Sequence, residues 1–354
     1  MFFVPGVWLD ESGEFEVTQV SGQTGQARLV ALENASSHRR TPPCPHQGFT
    51  PGSCGGCPWQ FIDDEAQLAA KEQRVRSVLS QLLPATAIQP IWASPKTLGY
   101  RNRTQVKTDG RQLGYVSSLD NTLAPIEDCL VLSDKNRGTL KHLIEQLPNP
   151  AWRSGGARHW QSLEFDDFLD ASNVSPGVKR PFLQGNSAQN ERMRDWLREV
   201  CAAIDSGAAV IELFAGSGNF TEVMSACGFS RVIAVDSFAP AIEALNQRGL
   251  PEVEGLTLDL FRPGSTATLK KALKNTQVLL LDPPRDGYSQ IKEVLSSARK
   301  LEWIIYISCD LATYRRDVKF AVDSGFEILE LQPLDLFPQT PHVEIMSVLR
   351  KTRK

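Results

Sequence analysis

Trp303–Asp310, WIIYISCD, is the stretch that decides the fold. Ile304, Ile305 and Ile307 make a short β-branched run flanked by aromatics, long enough for one strand. A continuous apolar run belongs to a parallel strand covered on both faces, since alternation is needed only where one face meets water. Ser308, Cys309 and Asp310 break the run, and Asp310 is placed to cap a helix beginning near Ala312. In an open α/β sheet, chemistry sits at the carboxyl ends of the strands. Cys309 is therefore a nucleophile at that rim or an inert packed thiol, and on position alone the packed thiol is the commoner occupant.

The surrounding pattern extends the sheet. From residue 182, a helix follows Asn186 with Met193, Trp196, Leu197, Val200 and Ile204 along one stripe. Strand and helix then alternate: AAVIELFA (208–215), a helix from Phe220, RVIAVD (231–236), a helix from Pro240, LTLDLF (256–261), a helix near 266–275, QVLLLDPP (277–284), a helix near 288–299, and WIIYISCD. Repeated βαβ units predict an α/β, doubly wound parallel sheet. FEILELQPL (326–334) and HVEIMSVLR (342–350) close the chain, joined by a link too short for a crossover helix. They should be antiparallel. That reversal carries His342–Glu344 back to the rim that holds Cys309.

Three more elements reach the same rim. Glu212-Leu-Phe-Ala-Gly216-Ser-Gly218-Asn219 turns tightly from strand to helix, its glycines bringing backbone close to a ligand. A pyrophosphate loop would carry a third glycine where Thr221 stands, so this loop better fits a neutral cofactor edge. Asp236 ends the next strand, where ribose hydroxyls would bind. Asp282-Pro283-Pro284-Arg285 follows strand four, and its two prolines hold Asp282 towards the rim; alone, it reads equally as a turn.

Upstream the composition differs. Residues 1–41 are short alternating runs and read as a small β module of three or so strands. At residue 41 Pro and Gly take over, in TPPCPHQGFTPGSCGGCPWQ, with Cys44, Cys54 and Cys57 at C-x9-C-x2-C spacing and Cys129 following a hairpin whose turn is Asp109-Gly110. Four thiolates suit zinc or a 4Fe–4S cluster, and the three-plus-one spacing leans to iron–sulfur. Asp63–Leu83 reads as a helix. The 99–116 hairpin sets Arg101, Arg103, Lys107 and Arg111 among Tyr100 and Tyr115, a pattern that suits RNA by phosphate contact and base stacking, or a merely solvated charged hairpin. Residues 146–181 read as irregular, and Cys201 and Cys227 as packing thiols. Net charge is −3, so any basic surface is local, and no run of about eighteen apolar residues is present to span a membrane. The N-terminus lacks a basic n-region, which points to the cytoplasm and so to cysteines outside disulfides.

FLQGN (182–186), ELFAGSGNFT (212–221), LDPPRDG (281–287), ISCDLATYRRD (307–317) and FPQTPHVE (337–344) together resemble the signatures of the iron–sulfur RNA (uracil-5-)-methyltransferase family. The resemblance covers about 1–145 and 180–354. It implies a class I, Rossmann-like methyltransferase domain over 181–354, an α+β iron–sulfur and RNA-binding region over 42–180, and a truncated TRAM-like module over 1–41. It further implies S-adenosylmethionine as cofactor, a 4Fe–4S cluster on Cys44, Cys54, Cys57 and Cys129, and structured RNA as partner, a 23S rRNA stem-loop before tRNA. Residue by residue, Cys309 would be the nucleophile and Glu344 the base. Gln184, Phe214, Gly216, Gly218, Asn219, Asp236 and Asp259 would hold the cofactor, and Asp282 would line the pocket beside the target base.

The chemistry accounts for these residue types independently. C5 of uracil is too weak a nucleophile to take a methyl group unaided, and adding a thiolate at C6 supplies the electron density. The thiol's pKa would be lowered by its surroundings, by Arg285 or by the helix start after Asp310. The C5 proton must then leave to a base, and the target base must be flipped out of any stack. An amino-group methyltransferase, which also uses an acidic-Pro-Pro loop, would need neither Cys309 nor Glu344. A non-catalytic zinc-ribbon RNA-binding protein would tolerate loss of Gly216 or Gly218.

Overall fold

The computed structural model describes residues 1–84, 87–154 and 160–352. Two compact units emerge, residues 1–70, 96–179 and 337–341 forming one, and 71–95, 180–336 and 342–354 the other.

The first unit holds two small sheets. β1 (Phe2–Phe3), β2 (Ser12–Ser21) and β3 (Thr24–Asn34) pair in the order β1-β3-β2, β2 and β3 as a hairpin with register shifts that twist it. Helix α1 (Asp64–Leu79) follows, and the chain passes into the second unit after Ala70. β4 (Arg103–Thr108), β5 (Leu113–Val116) and β6 (Leu123–Pro125) form a meander. The β4–β5 turn is the expected Asp109-Gly110: Asp109 accepts from the amides of Arg111 and Gln112, and Gly110 sits at φ 83°. α2 (Asp134–Glu145) is capped by Ser133. Residues 146–181 contain a strand that the sequence reading missed, β7 (Gln161–Asp166), which pairs along all of β4 and gives the order β6-β5-β4-β7. Leu163 and Phe165 are fully buried there, and two alternating apolar residues among six were too weak a signal to find it.

β7 also changes the reading of the basic hairpin. Arg103 pairs with Glu164 on β7, and Lys107 donates to Ser162 at 2.6 Å. The Tyr100 hydroxyl donates to the carbonyl of Pro338, and that of Tyr115 is shared with Thr104 and with Cys129 Sγ. The two tyrosines are built into this unit and are not stacking platforms.

The second unit is the expected sheet. α3 (Ser187–Ala202) starts on the Asn186 cap, and β8 (Ala209–Leu213), α4 (Thr221–Ala226), β9 (Arg231–Asp236), α5 (Ala239–Gln247), β10 (Val253–Thr257), α6 (Ser265–Leu273), β11 (Val278–Leu281), α7 (Ile291–Ser297) and β12 (Trp303–Ser308) alternate. α8 (Leu311–Asp323), capped by Asp310, precedes the antiparallel pair β13 (Phe326–Leu334) and β14 (Glu344–Lys351). The seven strands run β10-β9-β8-β11-β12-β14-β13, parallel as far as β12, so β14 inserts antiparallel between β12 and β13. Every residue of β11 is buried, as a strand covered on both faces requires. β10 lies three residues earlier than LTLDLF predicts: Asp259 accepts from the Phe261 amide at 3.0 Å and its carbonyl from Arg262, so the chain turns where the apolar pattern suggested a strand. Leu260 still enters the core, and that is what misled the pattern. Among the described residues no helix is long and apolar enough to cross a membrane.

One ion pair lies inside this second unit. Lys71 Nζ meets Asp335 Oδ1 at 2.5 Å with the lysine fully buried, and the Asp335 carbonyl accepts from Gln189. Burying both charges is costly, and leaving one alone is costlier. Lys71→Met should destabilise the protein by about 3–5 kcal/mol, and Lys71→Met with Asp335→Leu should recover most of the loss; urea unfolding of the full chain followed by tryptophan fluorescence measures both.

Candidate active site

The cofactor loop leaves β8 at Leu213. Phe214 takes φ 67°, an unusual value for a bulky residue, and Gly216 and Gly218 follow at φ 55° and 88°. At Gly218 a Cβ would sit 2.4 Å from Leu245 Cδ1, so only glycine lets the loop pack this closely on α5. Asp236, ending β9, locks the loop from beneath: one carboxylate oxygen accepts from the Gly216 amide and the other from the Phe238 amide, each at 2.8 Å. Asn219 exchanges side-chain amide hydrogen bonds with Asn190 of α3. Gln184 is buried just ahead of the Asn186 cap, and Asp259 holds the turn after β10. Phe214, Phe261 and Tyr288 form an aromatic wall, with ring centroids 5.5 Å (Phe214–Phe261) and 5.2 Å (Phe214–Tyr288) apart. Phe261 is 44% exposed and leaves apolar surface open on that wall.

The rim that carries Cys309 follows from strand register. Ser308 pairs with Ile345 at the end of the β12–β14 ladder, and the next antiparallel step sets Cys309 opposite Glu344. Residues opposite one another in such a pair point to the same face. Asp282 comes from the other side, one residue beyond Leu281, which pairs with Tyr306 of β12 and Leu213 of β8. Cys309 is half-buried and Glu344 only 4% exposed. Burial, reinforced by Glu344 and Asp282, pushes the Cys309 thiol up to about 12, against the opposing charge of Arg285. Burial and then Asp282 raise Glu344 well above the carboxylate range, and burial lifts Asp282 to about 7. The expected lowering of the thiol's pKa is therefore absent in the free protein: two neighbouring carboxyls and desolvation outweigh one guanidinium.

Glu212, quoted within the glycine motif but given no role there, is a further member of this set. Its carboxyl is 1% exposed and accepts from the Thr221 hydroxyl. Burial first, then the charges of Asp282 and Asp236, push it up to about 8 despite that bond. An acidic residue four positions ahead of the first glycine of the turn was the available signal. Phe261 had none, since its place on the wall depends on the turn at Asp259.

In the first unit, Cys44, Cys54, Cys57 and Cys129 line one cavity of 370 Å³, with Tyr115, Arg101 and Ile126 in its wall. The loop is held by backbone bonds, Cys54 N–H to the His46 carbonyl and Gln60 N–H to the Cys57 carbonyl. Burial raises the Cys54 and Cys129 thiols and pushes Cys57 up to about 12. No group of three or more His, Cys, Asp or Glu that could hold a metal ion occurs among the described residues. Cys201 and Cys227 form a separate thiol contact, Cys201 buried, in keeping with packing.

Comparison with known proteins bears on this geometry. The family described as tRNA (Uracil-5-)-methyltransferase matches residues 266–352. An uncharacterized RNA methyltransferase of Nitrosomonas europaea is 39% identical over 99% of this chain and 91% of its own length. A 23S rRNA (uracil(1939)-C(5))-methyltransferase of Marinomonas sp. is 26% identical over 99% of this chain and 90% of its own. Among solved structures, the tRNA (uracil-54, C5)-methyltransferase of Pyrococcus abyssi, in complex with S-adenosyl-L-homocysteine, superposes with a TM-score of 0.67 at 20% identity, over 98% of this chain and 95% of that one. That likeness is one of fold.

The raised Glu212 has a measurable consequence. The folded state holds its proton between about pH 4.5 and 8 while the unfolded state has lost it, so stability should fall as pH rises through that window. Glu212→Gln keeps an acceptor for Thr221 and removes this fall, on the order of a few kcal/mol. Chemical denaturation at pH 5 and pH 8.5 reads the difference.

Proposed function

This chain belongs to the RNA (uracil-5-)-methyltransferase family, whose members use S-adenosylmethionine, and we propose that it makes 5-methyluridine in 23S rRNA. The ribosomal target is supported by curated relatives named as 23S rRNA uracil-C5 enzymes that match over almost their whole length. tRNA is the second reading, supported by the description of the family that matches residues 266–352. We assign 181–354 to the methyltransferase domain, 42–180 to RNA binding and the cysteine site, and 1–41 to a TRAM-like module.

The observation that carries the mechanism is the register that sets Cys309 opposite Glu344. Bound S-adenosylmethionine supplies an electrophilic methyl group. Gly216, Gly218 and the Phe214–Phe261 wall shape its groove, with Gln184, Asn219, Asp236 and Asp259 around the loop. As the pyrimidine enters, the Cys309 thiol gives its proton to water; the thiolate sulfur then bonds to C6 of the flipped uracil, and the C5=C6 electron pair moves towards O4. C5 then takes the methyl group, and the C4 carbonyl is restored. Glu344, acting in its ionised form, removes the C5 proton, C5=C6 re-forms, and the Cys309–C6 bond breaks to return the thiolate. A thiol held neutral until the pyrimidine enters is protected from oxidation between turnovers, since the thiolate is the reactive form. Asp282 stands beside the base.

Four thiols at three-plus-one spacing that line one cavity have the chemistry of a 4Fe–4S site, and Cys44, Cys54, Cys57 and Cys129 would hold it once drawn together, since among the described residues they do not form a ready metal-holding group. Methyl transfer moves no net electrons, so its role would be to fasten the 41–60 loop to the segment around Cys129.

Two outcomes are expected. Cys309→Ala should abolish methylation, whereas Glu344→Gln should transfer the methyl group and stall as a protein–RNA adduct, visible as a denaturant-stable band; full activity of Cys309→Ala would refute the scheme. Chelation or aerobic loss of iron should sharpen proteolysis of the first unit, and equal protease resistance of iron-loaded and iron-free protein would remove the cluster proposal. Nucleoside mass spectrometry of 23S rRNA and tRNA from cells lacking the gene decides between the targets.

A further inference from the structure

Arg285 and His342 stand beside Cys309 and Glu344, each supplied by an element that already carries a site residue. Arg285 lies three residues after Asp282, and His342 two before Glu344. An Arg285 guanidinium nitrogen donates to His342 Nε2 at 3.1 Å. Arginine only donates, so Nε2 must accept, which makes His342 the neutral tautomer with its proton on Nδ1. Burial, then the charges of Arg285, Lys71 and Arg74, keep that imidazole neutral against the pull of Asp310.

The loop under Arg285 is pinned. The Gly287 amide donates to the Pro284 carbonyl at 2.8 Å, closing a turn with Arg285 inside it. The Thr313 hydroxyl donates to the Arg285 carbonyl at 3.1 Å, and Arg316 to the Asp286 carbonyl at 2.9 Å, so α8 grips two successive residues. Gly287, at φ 66°, would bring a Cβ within 2.5 Å of Asp317 Oδ2 and 2.8 Å of Thr313 Cβ. Two prolines and this grip fix where the side chain begins, and His342 fixes where it ends. Its charge acts on both Cys309 and Glu344, while the side chain itself stays exposed to the cleft.

We propose that Arg285, oriented by His342, donates to the O4 carbonyl of the target pyrimidine and so acts as a catalytic and specificity-determining residue. This rests on the uracil-C5 reading above. When the Cys309 sulfur bonds to C6, the displaced electron pair comes to rest on O4, and a preorganised cation there stabilises charge that develops only in that step. Cytosine presents an amino group at the same position, so two sets of N–H donors would face each other unpaired, and the site rejects it. His342 touches no substrate and is a positioning residue.

The test uses the full chain as purified, with 23S rRNA transcript and a 5-fluorouridine-substituted version that arrests the covalent adduct. Arg285→Gln should slow single-turnover adduct formation by about 10²–10³ while KM for RNA changes by less than about threefold. Arg285→Lys keeps the charge without the fork and should fall between. His342→Phe should slow adduct formation about tenfold, and His342→Gln, which returns an acceptor at similar reach, should restore it. Adduct formation by Arg285→Gln at the wild-type rate overturns the proposal and leaves the uracil-C5 reading standing. So does a loss confined to KM, which would mark a phosphate contact. No adduct from wild type with either 5-fluorouridine-substituted 23S rRNA or tRNA overturns both.

Discussion

The site depends on one reversed strand. β14 enters antiparallel between β12 and β13, and its ladder with β12 runs from Trp303–Arg350 to Ser308–Ile345. Since β12 finishes at the rim where β14 begins, Cys309 just after one strand and Glu344 heading the other meet across a single register step. A parallel seventh strand would have begun at the opposite edge of the sheet, with Glu344 far from Cys309. A one-residue slip would turn Glu344 to the other face. The register is held from both sides, because β14 is buried over its first six residues and laddered to β12 and β13 at once, so a slip would break two sets of pairings together.

A second constraint is electrostatic. Glu212, Asp282 and Glu344 lie near one another at the carboxyl end of the sheet, and burial raises all three. Such a set resists full ionisation in the free protein, because each carboxylate makes the next harder to form. The Cys309 thiol shares the field and stays protonated until the site fills. Arg285 is the opposing charge, fixed by prolines, by α8 and by a neutral histidine.

Much of this was legible in the sequence, where patterns are local. The isoleucine run of β12, the Asp310 cap, the glycine turn after β8 and the reversal of the last two strands each follow from a few adjacent residues. So does the convergence of Cys309 with Glu344, because a short link allows only one strand direction. What escaped notice depended on partners distant in sequence. β7 is recognisable chiefly by its pairing with β4, some 58 residues earlier, as in Gln161–Thr108 to Asp166–Arg103. The tyrosines of the basic hairpin looked like stacking platforms until Pro338, Thr104 and Cys129 claimed their hydroxyls. β10 was displaced because Leu258 and Leu260 seal the core from a turn. The thiol's raised pKa reflects burial first and then the nearby Glu344 and Asp282, a three-dimensional crowding that no spacing announces.

The central claim is that Cys309 and Glu344 act in turn on one pyrimidine, and the hydrogen on C5 reports on both. RNA carrying tritium at C5 of uridine should release one tritium to water for each methyl group transferred by the wild-type protein. With Glu344→Gln, methyl transfer should proceed while tritium stays on the RNA. Methylation by the wild-type protein with tritium retained would place the methyl group elsewhere than C5 and contradict the account.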